Sequence, residues 1–221
     1  YTLDDVTNYI ARNSILPALF TALERIYPEI FGKQGSVWKL LQGDPERYMS
    51  DVLYSKEYLP TETEREYRER RAYYRRTREQ IEQGHICSTD ACITYNLALD
   101  LFMQDILDTI DTPEVLNAFS HCLTSMTILD PTCGSGAFLC AAVRVLTPLC
   151  EACRGRVGVV NAAPTVTGGA TLRSIISGNL YGVDIMEEAV ELCKLRLFLM
   201  LAGDFEGKEK IFLVAVVDFN F

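Results

Sequence analysis

Apolar residues recur every three or four positions through the start of the chain, at Val6, Ile10, Ile15, Leu16, Leu19, Phe20, Leu23 and Ile26. That spacing predicts two helices over residues 3–27, with Asn13 or Ser14 suited to an N-cap and Pro17 tolerable in a first turn. Short helices are expected over 37–42 and 45–53, separated by Gly35 and the Gly43-Asp44-Pro45 turn. Residues 61–83 read as a charge-rich helix, with Gly84 as its stop. Residues 88–110 form another amphipathic segment with Thr94-Tyr95-Asn96 near its middle, and Thr112-Pro113-Glu114 opens a helix to about Leu123.

From Met126 the pattern changes. A short β-favouring run over 126–129 ends in Asp130, a glycine turn follows, and a helix is expected from Gly136 to about Cys153. Residues 154–169, rich in Gly, Val and Ala, read as a connection of low structure, followed by a short helix over 172–176. Residues 179–184 read as a second buried strand, again ending in an acid, Asp184. The clearest helix is 186–201: Glu187 and Glu188 suit its positive end, and Ala189, Val190, Leu192, Cys193, Leu197 and Leu201 can pack on a sheet. Residues 211–217 are nearly continuously apolar, as in a strand buried on both faces. The β, α, β, α, β order implies an α/β fold with parallel strands, half of a doubly wound sheet.

Composition narrows the class. With 221 residues and 48% hydrophobic positions the chain can bury a core. Its net charge of -9, from 21 basic and 30 acidic residues, excludes a generally basic nucleic-acid-binding surface, so any such contact is local or lies elsewhere in the protein. No stretch has the unbroken apolarity of a membrane span, since 192–201 is interrupted by Lys194 and Arg196. A cytoplasmic protein without membrane partners is expected. The start, Tyr1-Thr2-Leu3-Asp4-Asp5, has neither an initiator methionine nor a signal sequence, and suggests a piece of a longer protein. The eight cysteines mostly sit in apolar contexts and read as reduced thiols. Cys150 and Cys153, with Cys87 and Cys92 as distant partners, have a poor spacing for zinc, and no metal is expected.

The glycine run carries the candidate chemistry. A phosphate-gripping loop needs Gly-Lys followed by Ser or Thr, and no lysine follows Gly134 or Gly136. A dinucleotide loop needs a small residue three positions after Gly136, where Leu139 stands. The third reading is S-adenosylmethionine, which has an amino-acid end, a ribose and an adenine but no phosphate. Glycine lets the backbone approach the amino-acid end, and Asp184 can accept hydrogen bonds from both ribose hydroxyls.

Asp130-Pro131-Thr132-Cys133-Gly134-Ser135-Gly136-Ala137-Phe138 resembles the first cofactor-binding motif of N6-adenine DNA methyltransferases. Asn179-Leu180-Tyr181-Gly182-Val183-Asp184-Ile185, with Glu187-Glu188-Ala189-Val190 and Lys194-Leu195-Arg196-Leu197, is similar to their second motif and its helix. Ala11-Arg12-Asn13-Ser14-Ile15-Leu16-Pro17 and Ile93-Thr94-Tyr95-Asn96-Leu97 look like parts of the helical region that precedes the methylase in bacterial Type IIG enzymes, which fuse restriction endonuclease and methylase.

The resemblance implies an N-terminal helical region, 1–87, and then, over 88–221, a partial domain carrying the first half of a Rossmann-like, class I S-adenosylmethionine-dependent methyltransferase sheet. Within it, 88–123 would be a helical lid and 126–221 the cofactor-binding part. It further implies that Asp130, Gly134 and Gly136 hold the methionine end together with Pro131, Cys133, Ser135 and Phe138. Asp184 would bind the ribose, Ile185 pack on the adenine, and the segment at Thr94 close over the cofactor. Asp218-Phe219 is taken to precede the family's third motif. The Asn-Pro-Pro-Tyr or Asp-Pro-Pro-Tyr run that receives the target base in this family has no match between Phe138 and Phe221. The expectation is therefore a cofactor-binding fragment, inactive alone, of a site-specific adenine-N6 methyltransferase that meets duplex DNA through the full-length protein.

Blander readings stand beside these. The glycine turn could merely pack helix against strand, and Asp184 alone could be a helix N-cap, a role compatible with ribose binding. The arginines of 61–83, at 65, 68, 70, 71, 75, 76 and 78 among Glu66, Glu69, Glu79 and three tyrosines, could grip DNA phosphates; a solvated helix held by acid and base pairs is preferred. His85 and His121 read as packing residues. The rival functions are a same-fold protein-glutamine or RNA methyltransferase and a non-catalytic interaction module with a vestigial loop.

Overall fold

A computed structural model describes residues 4–161 and 168–204. The described residues form two compact units, one made of residues 4–15 with 110–204 and the other of 16–109. No described helix is long and apolar enough to cross a membrane.

In the helical unit, aromatic rings carry the packing. Trp38 lies between Phe20, at 5.1 Å, and Phe102, at 5.4 Å between centroids, with Phe31 edge-on to Phe20 and Tyr48 edge-on to Phe102. Such pairs add roughly 0.5–1.5 kcal/mol each beyond their buried area. The polar tips find partners: the Trp38 indole N–H donates to the Gly32 carbonyl (2.8 Å), and the Tyr48 hydroxyl donates to Asp105 (2.8 Å), which also receives a two-pronged contact from Arg47 at 2.6 and 2.8 Å. These rings join α2 (Pro28–Phe31), α3 (Trp38–Gly43), a 3-10 turn at Pro45–Tyr48 and α7 (Leu99–Thr109).

The charge-rich helix, α5 (Glu64–Glu82), opens on a reciprocal cap in which the Thr63 hydroxyl accepts the Glu66 N–H and the Glu66 carboxylate accepts the Thr63 N–H. It closes at Gly84, whose φ of 72° suits a residue without a Cβ. Its arginines are largely committed within the unit. Arg65 pairs with Glu69, Arg68 with Glu64 and Arg78 with Glu82, all at four-residue spacing. Arg70 clamps Glu62 and the carbonyls of Val52, Ser55 and Glu57, and holds the Glu62 carboxyl down to about 2, chiefly by hydrogen bonding. Arg71 donates to the Tyr54 carbonyl (2.9 Å). The helix thus organises the 51–62 segment that includes α4 (Asp51–Tyr54), and the solvated-helix reading accounts for most of its charge.

The other unit holds the strands. β1 (Ile128–Asp130) and β2 (Leu180–Gly182) pair in parallel with Ile128 opposite Leu180 and Asp130 opposite Gly182. α8 (Pro113–Ser125), α9 (Ala137–Asn161), α10 (Gly168–Gly178) and α11 (Glu187–Asp204) accompany them. Their core comprises Val115, Leu116, Phe119 and Leu123 of α8, Leu139, Val143 and Leu146 of α9, Ile175 and Ile176 of α10, and Cys193, Leu197 and Leu201 of α11. Asn179, 3% exposed, ties α8 to β2: its side-chain amide donates to the Leu123 carbonyl (2.8 Å) and the Met126 carbonyl (2.7 Å). Those carbonyls lie at the end of α8, where helical partners run out.

Several expectations are corrected. In place of the two helices expected over 3–27 there is one, α1 (Asp4–Ile26), with Pro17 inside it; Ser14, expected as a cap, instead donates back to the Ile10 carbonyl (2.8 Å), and the unit boundary falls within this helix. Residues 88–110 break into α6 (Thr89–Thr94) and α7, because Asn96 adopts φ 52° and the Leu97 N–H returns to the Cys92 carbonyl. Residues 154–161 continue α9, so the connection expected over 154–169 is helical at its start, where Arg154 donates to buried Thr171 (2.7 Å). The second strand is buried on one face only, with Tyr181 39% exposed and Leu129 opposite it 61% exposed. The expected strand 211–217 and Asp218-Phe219 lie outside the described residues. The described sheet is therefore two parallel strands.

Asn179 generates a stability test. Replacement by Leu leaves two buried carbonyls without donors, and thermal or urea unfolding should show a loss of about 2–4 kcal/mol. A loss under about 0.5 kcal/mol would show that solvent satisfies those carbonyls instead.

Candidate functional site

The end of β1 and the start of α9 are joined by a turn in which both glycines take left-handed backbone, Gly134 at φ 52° and Gly136 at φ 80°. The two have different surroundings. A Cβ at Gly134 would point into open space, whereas one at Gly136 would run into the Cys193 sulfur and lie 3.2 Å from its Cβ. Gly136 is therefore required by packing against α11, and Gly134 leaves an opening beside the backbone. The Gly136 carbonyl accepts the Cys140 N–H (2.8 Å), so α9 begins at the loop and directs its positive end there.

Asp184 closes the arrangement from the other strand. One carboxylate oxygen accepts the Gly134 N–H (2.8 Å), and the other accepts the Met186 N–H (2.9 Å) just ahead of α11. These bonds, the Met186 one first, hold its carboxyl below the ordinary aspartate value of 3.8. Asp184 is thus not the N-cap of α11, a position that Met186 holds by accepting the Ala189 and Val190 N–H groups; it braces the residue ahead of the helix, and the same carboxylate also holds the glycine loop. Backbone bonds from Val183 N–H to the Asp130 carbonyl and from Cys133 N–H to the Val183 carbonyl, each 2.9 Å, extend the parallel pairing into the loop.

Asp130 has one oxygen accepting the Thr132 N–H (3.1 Å), while its Oδ2 is buried without a hydrogen-bond partner among the described residues. A buried carboxylate oxygen left unpaired costs about 1–3 kcal/mol or more, so it is a ready acceptor for a ligand cation or N–H. Pro131 and Ser135 are exposed, Cys133 is buried and Phe138 is partly buried. Ile185 is fully exposed. Burial pushes the Cys133 thiol up and the Cys193 thiol to about 12, which makes both packing groups rather than nucleophiles. All eight cysteines are free.

The loop and Asp184 are joined by the Gly134 N–H bond, and Ile185 follows Asp184 with its side chain exposed. Thr94 belongs to the helical unit, is exposed, and donates to the Asp90 carbonyl (2.8 Å); its place near a cofactor stays a proposal. Cys193 as the partner of Gly136 and Arg196 as the partner of Ser135 were missed, although their position one and two turns into the helix after an acid-ended strand was the available signal.

The described residues thus combine a two-stranded parallel sheet with a glycine turn entering a helix and an acid just after the second strand, an arrangement of the α/β class. Residues 106–207 match the family model of the MmeI DNA-methyltransferase domain. Over 103 residues the chain is 36% identical to a candidate type II restriction enzyme and methyltransferase from Methanocaldococcus jannaschii; the alignment covers 47% of this chain and 8% of that protein. The matched part is therefore a small fraction of that relative's length. No solved structure matches the chain. The matched residues are a methyltransferase-domain region of the kind carried by Type IIG-like restriction-modification enzymes.

Two measurements test this geometry. Gly136→Ala should destabilise by about 2–4 kcal/mol, from left-handed strain of about 1–2 kcal/mol plus the collision with Cys193. Adding Cys193→Ala should make the pair less damaging than the sum of the two single changes; strict additivity in a double-mutant cycle would exclude the contact. On acidification, the Gly134 and Met186 amide resonances should titrate together with a midpoint below 3.8, the ordinary aspartate value. Because the folded-state value is depressed, the carboxylate contributes stability above the unfolded-state value and loses it as pH falls through the folded one.

Proposed function

We propose that the chain is the S-adenosylmethionine-binding part of a site-specific DNA adenine-N6 methyltransferase belonging to a restriction-modification system. The observation that carries the reading is the buried Oδ2 of Asp130, without a hydrogen-bond partner among the described residues, in the same turn as Gly134, whose Cβ position is open. These features fit the amino-acid end of the cofactor. The Asp130 carboxylate would accept its ammonium group, and the positive end of α9 would favour its carboxylate. Asp184 keeps acceptor capacity after its two backbone bonds, since each carboxylate oxygen has two lone pairs, and would accept the ribose hydroxyls. Exposed Ile185 would cover a face of the adenine. Pro131, Cys133, Ser135 and Phe138 would shape the turn.

When bound, S-adenosylmethionine supplies an electrophilic methyl group on a sulfonium. The residues here would bind and orient it, while the groups that receive the adenine are proposed to lie outside these 221 residues. Duplex DNA is the proposed partner of the whole protein. The described strands would be the beginning of a Rossmann-like sheet, with 88–221 as the methyltransferase part and Thr94 in a segment that closes over the cofactor.

Calorimetry tests the reading. The unaltered chain should bind S-adenosylhomocysteine and discriminate against its 2′-deoxy form, whereas Asp184→Ala should bind the parent at least about tenfold more weakly and lose that discrimination, as expected for lost charge-assisted hydrogen bonds. The isolated chain should transfer no labelled methyl group to duplex DNA. Undiminished discrimination in Asp184→Ala would remove Asp184 from the ribose site.

A further inference from the structure

Two residues on one side of α11 meet consecutive residues of the loop. Cys193 lies against Gly136, and three positions on, the Arg196 guanidinium donates from Nη1 to both the carbonyl (3.1 Å) and the hydroxyl (3.2 Å) of Ser135. Residues three apart on a helix lie on the same face, so one stretch of α11 touches the turn twice. The neighbouring Lys194 is instead bonded to Glu191 (2.9 Å) on its own helix. Among the described residues Arg196 makes no ion pair with an acid, and the bonds its Nη1 makes go to Ser135.

We propose that Arg196 is a positioning residue for the cofactor loop: by holding the Ser135 carbonyl and hydroxyl it fixes the turn that receives the methionine end of the ligand. The physical need is specific. The turn has two residues with left-handed backbone, and neither glycine has a side chain to anchor it. Asp184 restrains its first glycine through the N–H and Cys193 blocks displacement at its second. Ser135, between them, is exposed and has Arg196 as its side-chain restraint. The turn that Arg196 holds at Ser135 is the one proposed to receive the amino-acid end of the ligand. Arg196 is therefore expected to matter for ligands carrying the amino-acid end and to be indifferent to the nucleoside alone. This inference rests on the cofactor reading above.

The test uses the whole chain with Arg196→Met and Arg196→Lys, titrated calorimetrically with S-adenosylhomocysteine and with adenosine, alongside thermal unfolding. Arg196→Met should weaken S-adenosylhomocysteine about tenfold, as for loss of charge-assisted hydrogen bonds, and change adenosine less than about twofold. Arg196→Lys keeps the charge and one donor, should lose less, and provides the reading if the methionine variant does not fold. Unchanged S-adenosylhomocysteine affinity in both variants overturns the positioning role and leaves the cofactor reading intact. Equal loss for both ligands with a parallel fall in melting temperature shows a merely structural arginine and overturns it as well. Binding of neither ligand by the unaltered chain overturns the cofactor reading, and the positioning role falls with it.

Discussion

The carboxylate of Asp184 is the constraint on which the strand-bearing unit turns. The two left-handed glycines of the turn have no side chains to hold them, and β1 and β2 are each only three residues long. By accepting one N–H from the turn and another from the entry to α11, Asp184 makes a single group responsible for both connections. Its charge suits that place, because amides that have no helical partner converge there. The close approach of Cys193 to Gly136 then becomes possible, since α11 is held at the height of the turn.

Around that point the apolar packing is ordinary and the polar joints are few. Asn179 fastens the end of α8 to the start of β2, and Arg154 reaches Thr171 between α9 and α10. Each joint satisfies a buried group that burial alone would penalise, so they fix where elements meet, while the hydrophobic core supplies the drive. The helical unit follows the same division. Its rings pack through Trp38 and Phe102, and Arg70 gathers the carbonyls of a segment with little regular structure of its own.

Much of the site was legible because its chemistry is local. Gly134, Gly136 and Asp184 follow from the need for left-handed turns and for an acid after a strand, and short-range spacing records both. Pro17 was a weaker guide. Its fixed φ is compatible with a helix, so the break it suggested did not occur, and Ser14 turned its hydroxyl back to Ile10 rather than capping a second helix. The helical start of 154–161 was hidden by its glycines and valines, residues of modest helix propensity that the neighbouring packing overrides.

By itself the sequence determined the identity of the loop, the acid opposite it, the order of the elements from β1 to α11 and the methyltransferase resemblance that the family match supports over residues 106–207. Only the tertiary structure decided that Asp184 binds Gly134, that Cys193 makes Gly136 obligatory and that Arg196 reaches Ser135. Those facts join residues some fifty to sixty positions apart along the chain. Local propensity and periodicity act over a few residues, whereas the meeting of distant side chains is set by how helices and strands pack, which no short stretch encodes.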